Sequence, residues 1–580
     1  MTQGKSMRPA GLGLVTALFA ATWLSACGGD SSSSPPPPPP PPPAPTPVAA
    51  VPLTCAQVNG MTVAAAAIGL PTTGATVTSS TVVAASGTGA TAVGSYCLVT
   101  GTIAPVDSTA PNITFNLALP ATWNQKIMML GGGGTDGSVP AVTGSTPQAD
   151  ATTATPLGRG YAVFASDSGH QDANSADSSW TVNQEANLNF MGDALKKTHD
   201  VALSLVDSFY AVAAPKEAYF AGGSTGGREA LTVAQRWPGD WNGVIAFYPA
   251  WDYTALTLGQ LNAAQVSAAP GAWMDTAKRG VLFGAALAAC DALDGVADGV
   301  ISNVKACLAT FDPSTATLNG TAVRCAGGAD TGDTCLSDAQ IAAVKSMNSP
   351  VPFNTTLASG ESSYPGYNAL VADLGIPSTS PFEGIISELA LGSVAPAFPI
   401  TTSMMFDAQI SGSWTQYTVV GDATYDPLTF PISAPGAFTS RLSYLSSLDA
   451  IDTDLTPFAA RGGKLLIMHG TADVTVSPRA TEFYFAKMQA SMGVNAVEGF
   501  TRFYEIPGFQ HAFSTVFNPS WDNLTELEQW VEAGTAPSNE VVTDTLGVPG
   551  RTRPLCVYPT WPKYSGSGDV NLAASYTCSN

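Results

Sequence analysis

Residues 219 to 231 read Tyr-Phe-Ala-Gly-Gly-Ser-Thr-Gly-Gly-Arg-Glu-Ala-Leu. An apolar run enters a glycine cluster with Ser224 at its centre, and a helix-forming stretch continues to Arg236. The turn spells G-x-S-x-G between strand and helix. Such an elbow lifts a serine hydroxyl above a parallel sheet in a strained backbone conformation. Glycines flank it because side chains there would meet strand, helix or substrate. In a chain with 57 glycines the motif alone is weak, and its placement gives it weight. A serine nucleophile needs a base, and the base needs an orienting acid. On an elbow fold they follow in the order Ser, acid, His. Of four histidines, 170, 199, 469 and 511, only the last two follow Ser224. His469 ends an apolar run just before Gly470-Thr471-Ala472-Asp473, and His511 follows the final apolar run in Gly508-Phe509-Gln510-His511-Ala512. The assignment is Ser224 as nucleophile, Asp473 as orienting acid and His511 as base, with Asp167 as a rival acid that precedes the serine. The expected oxyanion donors are the Thr225 N–H and one from the Gly131 to Gly134 loop, taken as Gly132.

These groups need a scaffold. Residues 126 to 130 and 161 to 165 read as buried strands, 187 to 211 as a helix, and 243 to 248 as the strand after the elbow helix. Thr/Val-rich runs over 77–84, 96–104 and 113–119 are β-like. Alternation of strand and helix predicts an α/β fold with a mostly parallel sheet. It stops between residues 251 and 454 and resumes at 463–470, 502–506 and a helix over 521–533. The expected organisation is a catalytic domain from 51–250 and 455–580, with 251–454 inserted as a lid over the strand ends.

A second chemical constellation lies in that insertion. Cys290-Asp-Ala-Leu-Asp-Gly-Val-Ala-Asp-Gly-Val300 places Asp291, Asp294 and Asp298 at spacings of three and four. Hard oxygen donors spaced this way suit Ca²⁺, although the distal Glu of an EF-hand loop is missing.

Whole-chain composition narrows the class. The 580 residues are 45% hydrophobic and carry a formal net charge of −21. No basic stripe is visible, so nucleic acid is not an expected partner. Lys5 and Arg8 precede an apolar run from Gly11 to Leu24, followed by Leu24-Ser-Ala-Cys27. This is the form of an export signal over residues 1–26, and it resembles a lipobox with Cys27 as the lipidated residue. Gly28 after it favours the outer membrane by the same resemblance. Residues 27–50 hold an unbroken proline run, Pro35 to Pro43, which enforces a stiff polyproline II tether of about 3.1 Å per residue. Eight further cysteines suit an oxidising compartment. Pairing by sequence neighbours gives Cys55–Cys97, Cys290–Cys307, Cys325–Cys335 and Cys556–Cys578, one of 105 connectivities.

Taken together, the Gly-Gly-Ser-Thr-Gly-Gly-Arg elbow, the glycine loop, Asp-Ser-Gly-His at 167–170, His-Gly-Thr-Ala-Asp at 469–473 and the His511 loop resemble the tannase/feruloyl esterase family over about residues 50 to 580. That family includes mono(2-hydroxyethyl) terephthalate hydrolases. The resemblance implies an α/β-hydrolase fold with a large lid. It implies a serine carboxylic-ester hydrolase acting on aromatic, phenolic or terephthalate-like esters through an acyl-enzyme. It also implies a structural calcium ion held by the side chains of Asp291, Asp294 and Asp298 and the carbonyls of Val296 and Val300. One departure stands out. The family usually bridges a Cys before the nucleophile to a Cys after the catalytic His, and here Gly223 and Ala512 hold those places. Rival readings are an amidase or peptidase on the same fold and a non-catalytic surface-binding lipoprotein. No Lys or Arg lies between Lys345 and Arg441, whereas Phe382, Phe398, Met404, Met405, Phe406, Trp414 and Tyr417 do. That set favours an ester without a free carboxylate, because a carboxylate would call for a cation.

Overall fold

The computed structural model describes residues 51–376 and 380–580. The expected signal segment, Cys27 and the proline tether lie outside the described residues. Ten strands form one sheet: β1 (Thr62–Val63), β2 (Gly74–Val83), β3 (Tyr96–Ala104), β4 (Ile113–Pro120), β5 (Lys126–Leu130), β6 (Ala162–Ser166), β7 (Glu217–Gly223), β8 (Gly243–Phe247), β9 (Lys464–Gly470) and β10 (Thr501–Ile506). Their spatial order is β1-β2-β3-β4-β6-β5-β7-β8-β9-β10.

From β6 to β10 all five pairings are parallel. The four pairings from β1 to β6 are antiparallel. The sheet is therefore mixed rather than mostly parallel. The connections explain it. Short links join β2, β3 and β4, and a short link can only turn the chain back on itself. Helices such as α1 (Ala194–Tyr210) and α2 (Thr225–Arg236) supply the long crossovers that parallel neighbours need.

Both faces of the parallel half are covered, and side chains alternate between two cores. In β7, Ala218 and Phe220 join one apolar cluster while Tyr219 and Ala221 join the other. In β9, Leu465 and Ile467 face the first, and Leu466 and Met468 face the second. Ala230, Leu231 and Val233 of α2 pack on the first face. Leu527 and Trp530 of α3 (Asn523–Ala533) cover the second. The chain leaves β5 for β6 on one side and returns to β7 on the other. Open α/β sheets form a ligand crevice at such a reversal. The Gly131 loop and Ser224 follow the carboxyl ends of those two strands.

The insertion builds a third core around Leu258, Val344, Tyr364, Met405 and Trp414, which continues into Ala472 and Val474 of the acid loop. Ala50–Asn580 forms one compact unit. The cysteines pair as Cys55–Cys97, Cys290–Cys307, Cys325–Cys335 and Cys556–Cys578. Such bridges belong to an oxidising, exported setting. Among the described residues no helix is long and apolar enough to cross a membrane.

Candidate active site

Ser224 caps β7 with φ 60° and ψ −123°, a conformation that an L-residue adopts only under constraint. The constraint is close packing. A Cβ on Gly222 would lie 2.4 Å from the Gly226 carbonyl, so the helix can rise directly behind the serine only over a glycine. The Ser224 N–H donates to Phe247 O at 3.1 Å, which fixes the elbow to β8.

Two loops at the carboxyl ends of β9 and β10 bring the partners in. Ser224 Oγ–H donates to His511 Nε2 at 2.8 Å, and His511 Nδ1–H donates to Asp473 Oδ2 at 2.7 Å. Asp473 is fully buried. Its Oδ1 accepts the Thr475 N–H at 2.9 Å and the Val476 N–H at 2.8 Å. Burial alone would raise this carboxyl, but the charges and hydrogen bonds of His511 and His469 outweigh it and hold Asp473 far below the usual carboxylate range. The arrangement can accept a proton from a serine hydroxyl and steady the imidazolium that results.

His469 has a larger part than its position at a strand end suggested. Its Nε2 lies 2.9 Å from Val476 O and 3.1 Å from Asp473 Oδ2, and its Nδ1 lies 2.9 Å from Thr481 Oγ1. The carbonyl can only accept, so Nε2 carries the hydrogen and shares it between two oxygens. Asp473 is thus held by two imidazoles and two backbone amides. A His four residues before the acid was the available signal. The rival Asp167 accepts the Thr114 and Gly169 amides and so ties β4 to its own loop. His170 stacks on Trp180 with centroids 3.7 Å apart, and burial lowers it to about 4.

The oxyanion expectation needs one correction. The Thr225 N–H opens α2 and has no acceptor within the helix, as expected for a donor. Gly132, however, spends its N–H on Glu229 Oε2 at 3.1 Å. The next amide, Gly133, makes no hydrogen bond among the described residues, and a Cβ there would meet nothing within 4 Å. Among the described residues, the loop's N–H groups without an acceptor are therefore those of Gly133 and Gly134. Glu229 is buried against Asp136. Burial first, and then the Glu229 charge, push Asp136 well above its ordinary range. Glu229 Oε2 is the atom that anchors the Gly132 amide.

The acidic loop is ordered by its own backbone. Asp291 accepts the Asp298 and Gly299 amides, Asp294 Oδ1 the Val296 amide and Asp298 Oδ1 the Val300 amide. Asp298 Oδ2 also accepts from Arg553 and Tyr576. Asp294 Oδ2 is buried and makes no well-formed hydrogen bond among the described residues, with only the Ser302 hydroxyl near the carboxylate. Burial raises Asp294 to about 6, with Asp298 and Asp291 adding repulsion. A cation would relieve both features, and the donors are the hard oxygens that suit one. The three carboxylates are not gathered within 4.8 Å of one another. Among the described residues, His199, Asp200 and Asp240 are so gathered, with the Lys196 ammonium bonded to both aspartates.

Of the insertion's aromatic candidates, Phe382 stacks on Phe513, two residues beyond His511, with centroids 4.4 Å apart. Met404, Met405 and Trp414 are buried in the insertion core. Phe406 and Tyr417 are half-buried, and Phe398 is exposed.

The sequence matches the tannase and feruloyl esterase family over residues 97–579. The chain belongs to that family. Among its relatives is an uncharacterised esterase of Agrobacterium fabrum, 37% identical, the match covering 91% of this chain and 93% of the relative. Another is the mono(2-hydroxyethyl) terephthalate hydrolase of Piscinibacter sakaiensis, 33% identical over 84% and 85% of the two chains. Feruloyl esterase B from Aspergillus oryzae superposes with a TM-score of 0.68 at 21% identity, covering 88% of this chain and 98% of its own. Tannin acyl hydrolase from Aspergillus niger gives 0.63 at 20%, covering 91% and 95%. This member of the tannase and feruloyl esterase family has the α/β-hydrolase fold and is a carboxylic ester hydrolase.

Proposed function

We propose that the enzyme cleaves esters of aromatic acids by acyl transfer through Ser224, and that it prefers esters whose acyl part bears no free carboxylate. The observation that carries this reading is the unbroken hydrogen-bonded chain from Ser224 through His511 to Asp473. Oγ attacks the ester carbonyl while His511 Nε2 takes its proton. The Thr225 amide and that of Gly133 or Gly134 receive the oxyanion, and the imidazolium then protonates the departing alkoxide. Water repeats the sequence on the acyl-enzyme and releases the acid. The aromatic part rests on the relatives, which are named for terephthalate, feruloyl and tannin substrates, and on the Phe382–Phe513 stack beside the base. The neutral-ester part rests on the absence of Lys or Arg between Lys345 and Arg441. Purified enzyme should hydrolyse methyl ferulate at least about tenfold faster, by kcat/KM, than mono(2-hydroxyethyl) terephthalate, the effect of one missing charged contact. A preference for the monoacid would overturn the specificity. Cleavage of p-nitroanilides at rates matching p-nitrophenyl esters would turn the reading to an amidase.

We also propose that Asp291, Asp294 and Asp298, with the Val296 and Val300 carbonyls, hold a structural calcium ion, which would neutralise the loop's carboxylates. Chelator should lower the thermal midpoint, and calcium at about a hundred times its Kd should restore about 2.7 kcal/mol. Asp294→Ala should abolish the calcium-dependent part of that shift. An equal midpoint with and without calcium would remove the ion from the account. Cys27 and the proline run support a lipid-anchored, stalked enzyme at the outer membrane, testable by palmitate labelling of wild type against Cys27→Ala.

A further inference from the structure

Gly223 ends β7 immediately before the serine, and it has no room for a side chain. A Cβ there would lie 2.5 Å from Tyr248 Oη and 2.6 Å from two carbons of the same ring. The Tyr248 ring then reaches across to His511. The two centroids are 4.8 Å apart with planes at 65°, an edge-to-face contact of the kind that fixes ring orientation. Phe509 and His469 complete the packing, at 6.1 and 6.5 Å from the Tyr248 centroid. Beyond the ring, Tyr248 O–H donates to Gln148 Oε1 at 3.2 Å, and Gln148 Nε2–H donates to Ala512 O at 3.1 Å. Burial pushes the phenol's ionisation up, so it remains a donor at any physiological pH.

One side chain therefore spans from the nucleophile's strand to the base's loop, and a glutamine closes the span onto the residue after the base. The backbone records the same constraint. Gln148, Tyr248 and Ala512 have φ of 50°, 35° and 61°, and Ser224 has 60°. Four non-glycine residues in the left-handed region around one imidazole persist only where the surroundings over-determine them.

We propose that Tyr248 is a positioning residue for the hydrolysis: with Gln148 it forms a non-covalent strut between Gly223 and Ala512 that holds the His511 ring in line with Ser224. This rests on reading Ser224 and His511 as the reacting pair. It adds that their alignment is enforced from beneath by a ring with which a side chain at position 223 would collide. A strut of this kind acts on alignment, so its loss should lower kcat and spare KM.

The experiment compares wild type, Tyr248→Phe, Tyr248→Ala, Gln148→Leu, Gly223→Ala and Gly223→Ala/Tyr248→Ala. The measurements are kcat and KM on an aryl ester, the rate of fluorophosphonate addition to Ser224, and the thermal midpoint. Tyr248→Ala should lose about 30- to 100-fold in kcat, the scale of a sub-ångström to 1 Å misplacement of a reacting group. KM should stay within about twofold, and phosphonylation should slow in step. Tyr248→Phe and Gln148→Leu, which cut the strut without emptying the space under His511, should each lose about three- to tenfold in kcat. Gly223→Ala should lose about tenfold alone, but the double variant should be no slower than Tyr248→Ala, because the colliding partner is gone. Labelling of the wild type at Ser224 tests the underlying reading separately. Rates within about twofold of wild type in folded Tyr248→Ala and Gln148→Leu, or Gly223→Ala and Tyr248→Ala losses that multiply, would overturn the strut.

Discussion

Ser224→Ala should leave a folded protein that turns over aromatic esters about 10⁴- to 10⁶-fold more slowly than wild type. The size follows from what is removed. Among the described residues the hydroxyl is the one group aligned on His511 Nε2, and without it the covalent route is closed, leaving only binding and the oxyanion donors. Fold stability should barely move. Among the described residues the hydroxyl makes no hydrogen bond beyond His511, and alanine meets the same φ of 60° that serine already tolerates. The thermal midpoint should therefore lie within a few degrees of wild type while the mass shift from a fluorophosphonate disappears. Residual kcat within tenfold of wild type, or labelling that persists elsewhere in step with activity, would move the nucleophile to another residue.

Asp473→Asn should cost both rate and stability, because this carboxylate receives four N–H groups from two sides. Oδ2 faces the two imidazoles and Oδ1 the Thr475 and Val476 amides. An amide of the same shape has one oxygen and one NH₂, so in either flip its donor meets donors. Either His511 loses the acceptor that fixes its tautomer, or the turn after β9 loses its anchor. The expected fall in kcat is about 10³- to 10⁴-fold, and the expected destabilisation is about 3–5 kcal/mol for breaking a buried charged network. The pH dependence carries a sign. The folded-state pKa of Asp473 is depressed, so its contribution is complete above the unfolded value of about 3.9 and is lost as pH falls below it. Wild type should lose thermal stability more steeply than the Asn variant as pH falls from about 4 to about 2. Parallel slopes for the two proteins would refute the claim that this carboxylate is stabilised in the fold.

Which features were legible in the chain follows from the distance over which they act. Ser224, Asp473 and His511 could be read because each sits at the end of an apolar run and the fold fixes their order. The acidic loop could be read because its donors fall within eleven consecutive residues. His469 was visible, but its bond to Asp473 depends on a turn whose shape is set by Val476 and Thr481. The commitment of Gly132 to Glu229 joins residues 97 apart, and the Gln148 bond to Ala512 joins residues 364 apart. No local pattern announces contacts of that range. The β-like runs at 77–84, 96–104 and 113–119 were also visible, but pairing direction depends on how the links close.

Residue types and their spacing along the chain name the kind of chemistry: a serine raised on a glycine elbow, an acid and a base in order behind it, and an acidic loop suited to a hard cation. These are properties of residue type and short-range backbone preference, which a chain states locally. Only the folded chain reveals that the Gly132 amide is taken by Glu229, that His469 shares the acid, and that a tyrosine ring lies between Gly223 and the His511 loop. Those outcomes depend on which distant surfaces meet once the apolar faces of the sheet and the insertion are buried, and burial is a property of the whole chain.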